Sequence, residues 1–148
     1  MLKDALIEIY ERDLSRLKNE IELYRDEDSL WIVRNEISNS AGNLCLHLIG
    51  NLQHFIGAVL GDSGYERDRD SEFSSKDISQ NQLIANIEET KKIVNKTLNN
   101  LPDEMLDSDF PATKRGEIVK TDFMLLHLLT HLNYHLGQIN YHRRLISQ

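Results

Sequence analysis

From Ile37 to Gly61 the chain carries no Asp, Glu, Lys or Arg across 25 residues. A run of that kind has to be shielded from water around most of its circumference, by lipid or by other helices. Its length suits a membrane span, but Ser38, Asn39, Ser40, Asn43, His47, Asn51, Gln53 and His54 make it too polar for hydrocarbon. The reading that follows is a buried central helix with a polar stripe along one side, and no membrane.

Partners for that helix are written in the rest of the chain. Leu2, Leu6, Ile9, Leu14, Leu17, Ile21 and Tyr24 recur at three- to five-residue steps and predict a first amphipathic helix with a wet, charged far side. Asp26 to Ser29 ends it, and Leu30 to Val33 forms an apolar connector whose Trp31 is expected to plug the end of the core. Ser38 or Ser40 caps the second helix, which runs to about Leu60 before Gly61 to Gly64 stop it. Tyr65 to Phe73, with alternating charges and no apolar period, reads as a loop. Ser79 and Gln82 form a capping-box pattern for a third helix that ends at Pro102. Residues 103–120 are a mixed connector with an extended piece near Glu117 to Lys120. Thr121 is the expected N-cap of a fourth helix that runs to about Ile146. With 148 residues and two prolines, the chain suits one all-α domain over residues 1–148, a four-helix bundle.

Charge narrows the function classes. A formal net charge of −7 offers no basic face for a polyanion, so nucleic acid is not an expected partner. No signal segment opens the chain, and a single cysteine, Cys45, allows no intrachain disulfide, so the cytoplasm is the expected compartment. Cys45 reads as a small buried thiol. Long amphipathic helices permit a homodimer without identifying its face.

All six histidines lie in two places. His47 and His54 sit in the uncharged segment; His127, His131, His135 and His142 sit in the fourth helix. At about 100° per residue His131 and His135 project side by side about one turn apart, whereas His135 and His142, or His127 and His135, are separated by roughly 10 to 12 Å along the axis and cannot share one ion. His127 with His131 is geometrically possible but more peripheral. Asn43, His47, Asn51 and His54 form the polar stripe of the second helix, and buried polar groups need partners. His47, His131 and His135 can then meet at one ion. His142, followed by Arg143 and Arg144, reads as a surface or dimer-edge residue.

The string HLNYHLGQI, His131 to Ile139, resembles the last-helix motif of the DinB-like superfamily, which includes the YfiT-type proteins, and GNLCLHLIGNLQHF, Gly42 to Phe55, resembles its second-helix motif. The run RDRDSEF, Arg67 to Phe73, with Gly50 and Asn51, resembles an uncharacterised subgroup. The resemblance implies an up-down-down-up bundle whose ligands to a divalent metal, zinc or nickel, are His47, His131 and His135. In such a bundle His54 and His127 should lie level and hydrogen-bond below the metal. Some relatives are thiol-dependent transferases or isomerases using bacillithiol or mycothiol; no thiol-cofactor motif carries over to this chain.

Three imidazoles and an open position make a reactive type of site, able to activate water or bind a substrate thiolate or carboxylate. The expected function is a metal-dependent hydrolase or a bacillithiol-like thiol transferase acting on a small molecule; the alternative is a noncatalytic metal- or ligand-binding bundle or interaction module. Asn51 and Gln138, each about one turn from a candidate ligand, are candidates to fix substrate or water. Asp68, Asp70 and Glu72 are candidate general bases if their connector folds over the site, and Arg67 and Arg69 candidate anion contacts.

Overall fold

In α1, Leu2–Glu22, Leu6, Leu14, Leu17 and Ile21 are buried on one face as the periodicity predicts, joined by Tyr10, whereas Leu2 is exposed and Ile9 only partly buried. The computed structural model describes residues 1–146. A 3₁₀ turn at Glu27–Trp31 follows, held by Asp26 accepting the Asp28 amide. The central helix opens at Ser40, whose Oγ accepts the Asn43 amide at 3.1 Å; it runs as α2, Ala41–Leu52, and continues as a π-helix over Gln53–Leu60. By length and composition Ala41–Leu60 could cross a membrane, yet 67% of it is buried inside the fold, as befits a core helix. Next come α3, Arg69–Ser74, and α4, Gln80–Asn100, then a 3₁₀ turn at Asp103–Asp107 and α5, Thr121–Ile146. Among the described residues there is no strand. The extended piece expected near Glu117 to Lys120 is present as two isolated bridges, Asp109 with Lys120 and Lys114 with Glu117.

Polar side chains record how the long helices run. Lys3 reaches the Leu101 carbonyl at 3.0 Å and Gln80 the Ile21 carbonyl at 2.7 Å, so α1 and α4 are antiparallel. Tyr10 donates to the Leu125 carbonyl at 2.6 Å and Asn140 to Glu20 at 2.7 Å, so α1 and α5 run together. Gln53 donates to Thr90 at 3.2 Å and Gly57 abuts Ile93, so α2 and α4 also run together. Asp13, on the α1 side expected to be wet, is buried and accepts from Asn133 at 3.0 Å.

Four local expectations are corrected. Tyr65 to Phe73 is not all loop: Asp68 accepts the Ser71 amide at 3.2 Å and starts α3. Thr121 is the first helical residue rather than a cap, and its hydroxyl donates to the Ser108 carbonyl at 3.0 Å. Gln82 is capped by Ser79 but turns its own side chain to Asn86, so only half of the box forms. Trp31 is half-buried, lying over α2 where Gly42 makes room: a Cβ on Gly42 would fall 2.6 Å from the indole.

His142 is the largest departure. It is 4% exposed, with Nδ1 2.6 Å from the Tyr24 hydroxyl and Nε2 2.8 Å from the Ile32 carbonyl. The carbonyl can only accept, so Nε2 carries the proton and Nδ1 accepts from Tyr24. Burial lowers its pKa and favours this neutral ring. His142 thus ties α5 to the segments that follow α1 and the first 3₁₀ turn. His142→Ala should cost about 2 kcal/mol, read as a fall in Tm of roughly 6 °C; an unchanged Tm would mean that this junction contributes nothing.

Candidate metal centre

The pairing of α2 with α5 brings the distant histidines together. His47 Nε2 lies 3.1 Å from His131 Nε2, and His135 Nε2 lies 3.2 Å from the same atom. One ligand atom from each of the three rings falls within 4.8 Å of the others, forming a group that could hold a metal ion. The spacing within one helix turn supplies the His131–His135 half; tertiary packing supplies His47.

Two rings are held from behind. Glu72 Oε1 is 3.0 Å from His47 Nδ1, and Gln138 Oε1 is 2.7 Å from His135 Nδ1. Both oxygens accept, so Nδ1 donates in each ring and Nε2 presents its lone pair inward. Burial lowers the His47 pKa, outweighing the opposing pull of Glu72. His131 is pushed down to about 4, by burial first and by its neighbouring histidines second. Burial therefore favours the neutral ring at His47 and His131.

That arrangement leaves an imbalance. A neutral His131 has one proton for two facing lone pairs, and its Nδ1 is buried without a partner. With the proton on Nε2, Nδ1 is an orphan acceptor; with it on Nδ1, three lone pairs converge and an orphan donor is buried. A cation among the three Nε2 atoms would relieve the convergence of lone pairs, with the His131 proton then on its unpartnered Nδ1. Tetrahedral zinc at about 2.0 to 2.1 Å from each nitrogen would set them roughly 3.3 Å apart, close to the 3.1 and 3.2 Å from His131 to the other two rings. The donor set fits the ion.

Glu72 owes its position to three neighbours. Asn43 Nδ2 donates to the Glu72 carbonyl at 3.0 Å and the Ser75 carbonyl at 2.8 Å, docking α3 on α2. Arg67 grips the carboxylate with Nε at 2.8 Å and NH2 at 2.9 Å, a bidentate pair that compensates a charge only 5% exposed. The same NH2 comes within 3.4 Å of His47 Nδ1, a close approach between two donors rather than a bond. Gly50 clears the path, since a Cβ there would fall 1.8 Å from Glu72 Oε2. Phe73 then covers His47, ring centroids 4.8 Å apart.

The other candidates separate. Glu72 faces the site but is held by His47 and Arg67, so it orients a ring. Asp68 and Asp70 are exposed, and Asp68 caps α3. Arg69 sits over Phe73 at 5.7 Å. Asn51 is 8% exposed and its Oδ1 is buried without a partner. His54 packs edge-on against Phe55 and His127 stacks on Phe123; no hydrogen bond joins the two histidines among the described residues. Cys45 is fully buried with its thiol pushed up to about 12, leaving it inert at neutral pH. The Glu72–Arg67 arrangement had a trace in the sequence, an Arg five residues before a Glu in an otherwise solvated run.

Fold and site together define an all-helical protein that gathers three imidazoles from two helices, with one ring backed by a buried carboxylate and another by an amide. The family described as protein of unknown function (DUF1572) matches this chain over residues 5–148, and the chain belongs to it. No curated protein matches the chain.

Two measurements follow from this geometry. Unfolded histidine takes up its proton near pH 6.5, folded His131 only near 4. The unfolded chain binds more protons between those values, so the stability of chelator-treated protein should be full above about pH 6.5 and fall as pH drops toward 4. Denaturation midpoints at pH 7.5 and 5 test this, and His131→Asn should flatten the slope. Gly50→Ala should push Glu72 off His47 and speed amide exchange across residues 67–75; unchanged exchange would show that α3 does not depend on that clearance.

Proposed function

We propose that the protein is a divalent-metal-dependent enzyme acting on a small molecule, with His47, His131 and His135 as the ligands and zinc or nickel as the ion. The observation that carries this reading is the inward convergence of three Nε2 atoms, two of them with the tautomer imposed from behind. The helix directions support an up-down-down-up four-helix bundle of the DinB-like type, in which α2 and α5 lie antiparallel across the site.

When bound, such an ion supplies Lewis-acid activation of water or of a substrate donor at an open position. The chain's own residues do the rest. Glu72 holds the His47 ring and strengthens it as a donor, Arg67 clamps the Glu72 carboxylate in place, and Gln138 fixes the His135 ring. With Glu72 and Gln138 so engaged, neither is a free proton carrier, and Cys45 is no nucleophile. Hydrolysis and thiol-dependent transfer both suit this division of labour, water or a thiol entering with the substrate.

Untagged protein purified without chelators should carry close to one zinc or nickel ion per chain by elemental mass spectrometry. His47→Ala and His135→Ala should abolish it, and Glu72→Gln should weaken zinc affinity on the order of tenfold. A folded wild type that takes up neither ion would overturn the proposal.

A further inference from the structure

Resting on the metal reading above, we infer that the substrate carries an aryl or similarly flat, uncharged group, seated on Tyr134 in the cleft beside His135. The cleft has a volume of about 1060 Å³ and runs along α5 from His135 and Gln138 to His142 and Leu145, with residues 35–39 as its opposite wall. Of the three imidazoles it borders His135, beside the amide that backs that ring. On the other side Phe73 covers His47 and Glu72 and Arg67 close behind it.

The first wall a ligand meets on leaving the imidazoles is aromatic. The Tyr134 and His135 ring centroids are 5.3 Å apart, and Tyr134 is 66% exposed. Tyr141 lies two turns further along the same helix side, and Leu44 and Ile37 continue the apolar surface. A flat group in the cleft beside His135 can take the exposed Tyr134 ring as its partner at the usual range of ring contacts.

Charge sets the second limit. Among the described residues no lysine or arginine lines the cleft, and the one carboxylate there is Glu36. Arg67, the guanidinium nearest the imidazoles, is paired with Glu72. Arg144, 5.2 Å from the Tyr141 ring, belongs to the outer end, about 13 Å along the helix axis from His135. Near His135 the wall thus offers aromatic surface and neutral amides and hydroxyls, which disfavours an anionic group there.

The test uses zinc-loaded protein and calorimetric titration with acetohydroxamate, benzohydroxamate and 4-carboxybenzohydroxamate, which share one metal-binding head. Benzohydroxamate should bind at least about tenfold more tightly than acetohydroxamate, and the 4-carboxy compound several-fold more weakly than benzohydroxamate. Tyr134→Ala should bring the first two within about threefold, while Tyr134→Phe keeps the preference. Zinc uptake with equal hydroxamate affinities in wild type would overturn the inference and leave the metal reading standing. Failure of zinc to load would remove both. A dimer by sedimentation that Tyr141→Arg dissociates, with no aryl preference before or after, would assign this face to a second copy and overturn the inference.

Discussion

A carboxylate buried between a guanidinium and an imidazole governs the local architecture. Left alone, Glu72 would cost several kcal/mol to bury; the bidentate Arg67 pair and the His47 N–H supply its hydrogen bonds inside the fold. Because those partners come from α2 and from the segment after the π-helix, the carboxylate cannot be satisfied unless α3 is docked. The same bond sets which nitrogen of His47 faces His131. Folding of the connector and the donor direction of one ring are therefore one event, and Gly50 is small because the carboxylate passes over it.

The remaining polar burial points the same way. Tyr10, Asp13, Glu20 and Tyr24 all find partners on α5, which pins the axial position of that helix against α1. Axial register matters because a displacement of one residue moves a side chain by about 1.5 Å along the helix and 100° around it. Such a shift would carry His131 and His135 away from His47. Hydrogen bonds distant from the imidazoles thus hold the separations of 3.1 and 3.2 Å among them.

Periodicity made the long helices legible, because each of them buries a face whose spacing is recorded in Leu, Ile and Val. The His131–His135 pair was legible for the same reason. His47 was legible because a polar stripe inside an uncharged helix demands a partner. The rest depended on chain paths that local spacing does not encode. The Asp68 cap was hidden in a run whose charges suggested solvent, and Glu72 in that run was read as a possible base because its clamp by Arg67 requires the connector to fold back. His142 lay on the helix edge shared by the other histidines and next to two arginines; only Tyr24 and the Ile32 carbonyl, more than a hundred residues earlier, bury it.

The unequal surroundings of the three rings carry a last consequence. His47 is enclosed by Glu72, Arg67 and Phe73, whereas His135 is backed by a neutral amide and borders the cleft. A hydrogen bond to a carboxylate raises the basicity of a ligating imidazole more than one to an amide does. His47 is thus the more firmly held ring, and His135 the one better able to adjust as something enters from the cleft. His131, with Nδ1 buried and unpartnered beside a pair of imposed tautomers, has the least support of its own. Its alignment depends on what its Nε2 faces, so a ligand centred on the three nitrogens would tie the two helices together through the ring that the protein alone leaves unsatisfied.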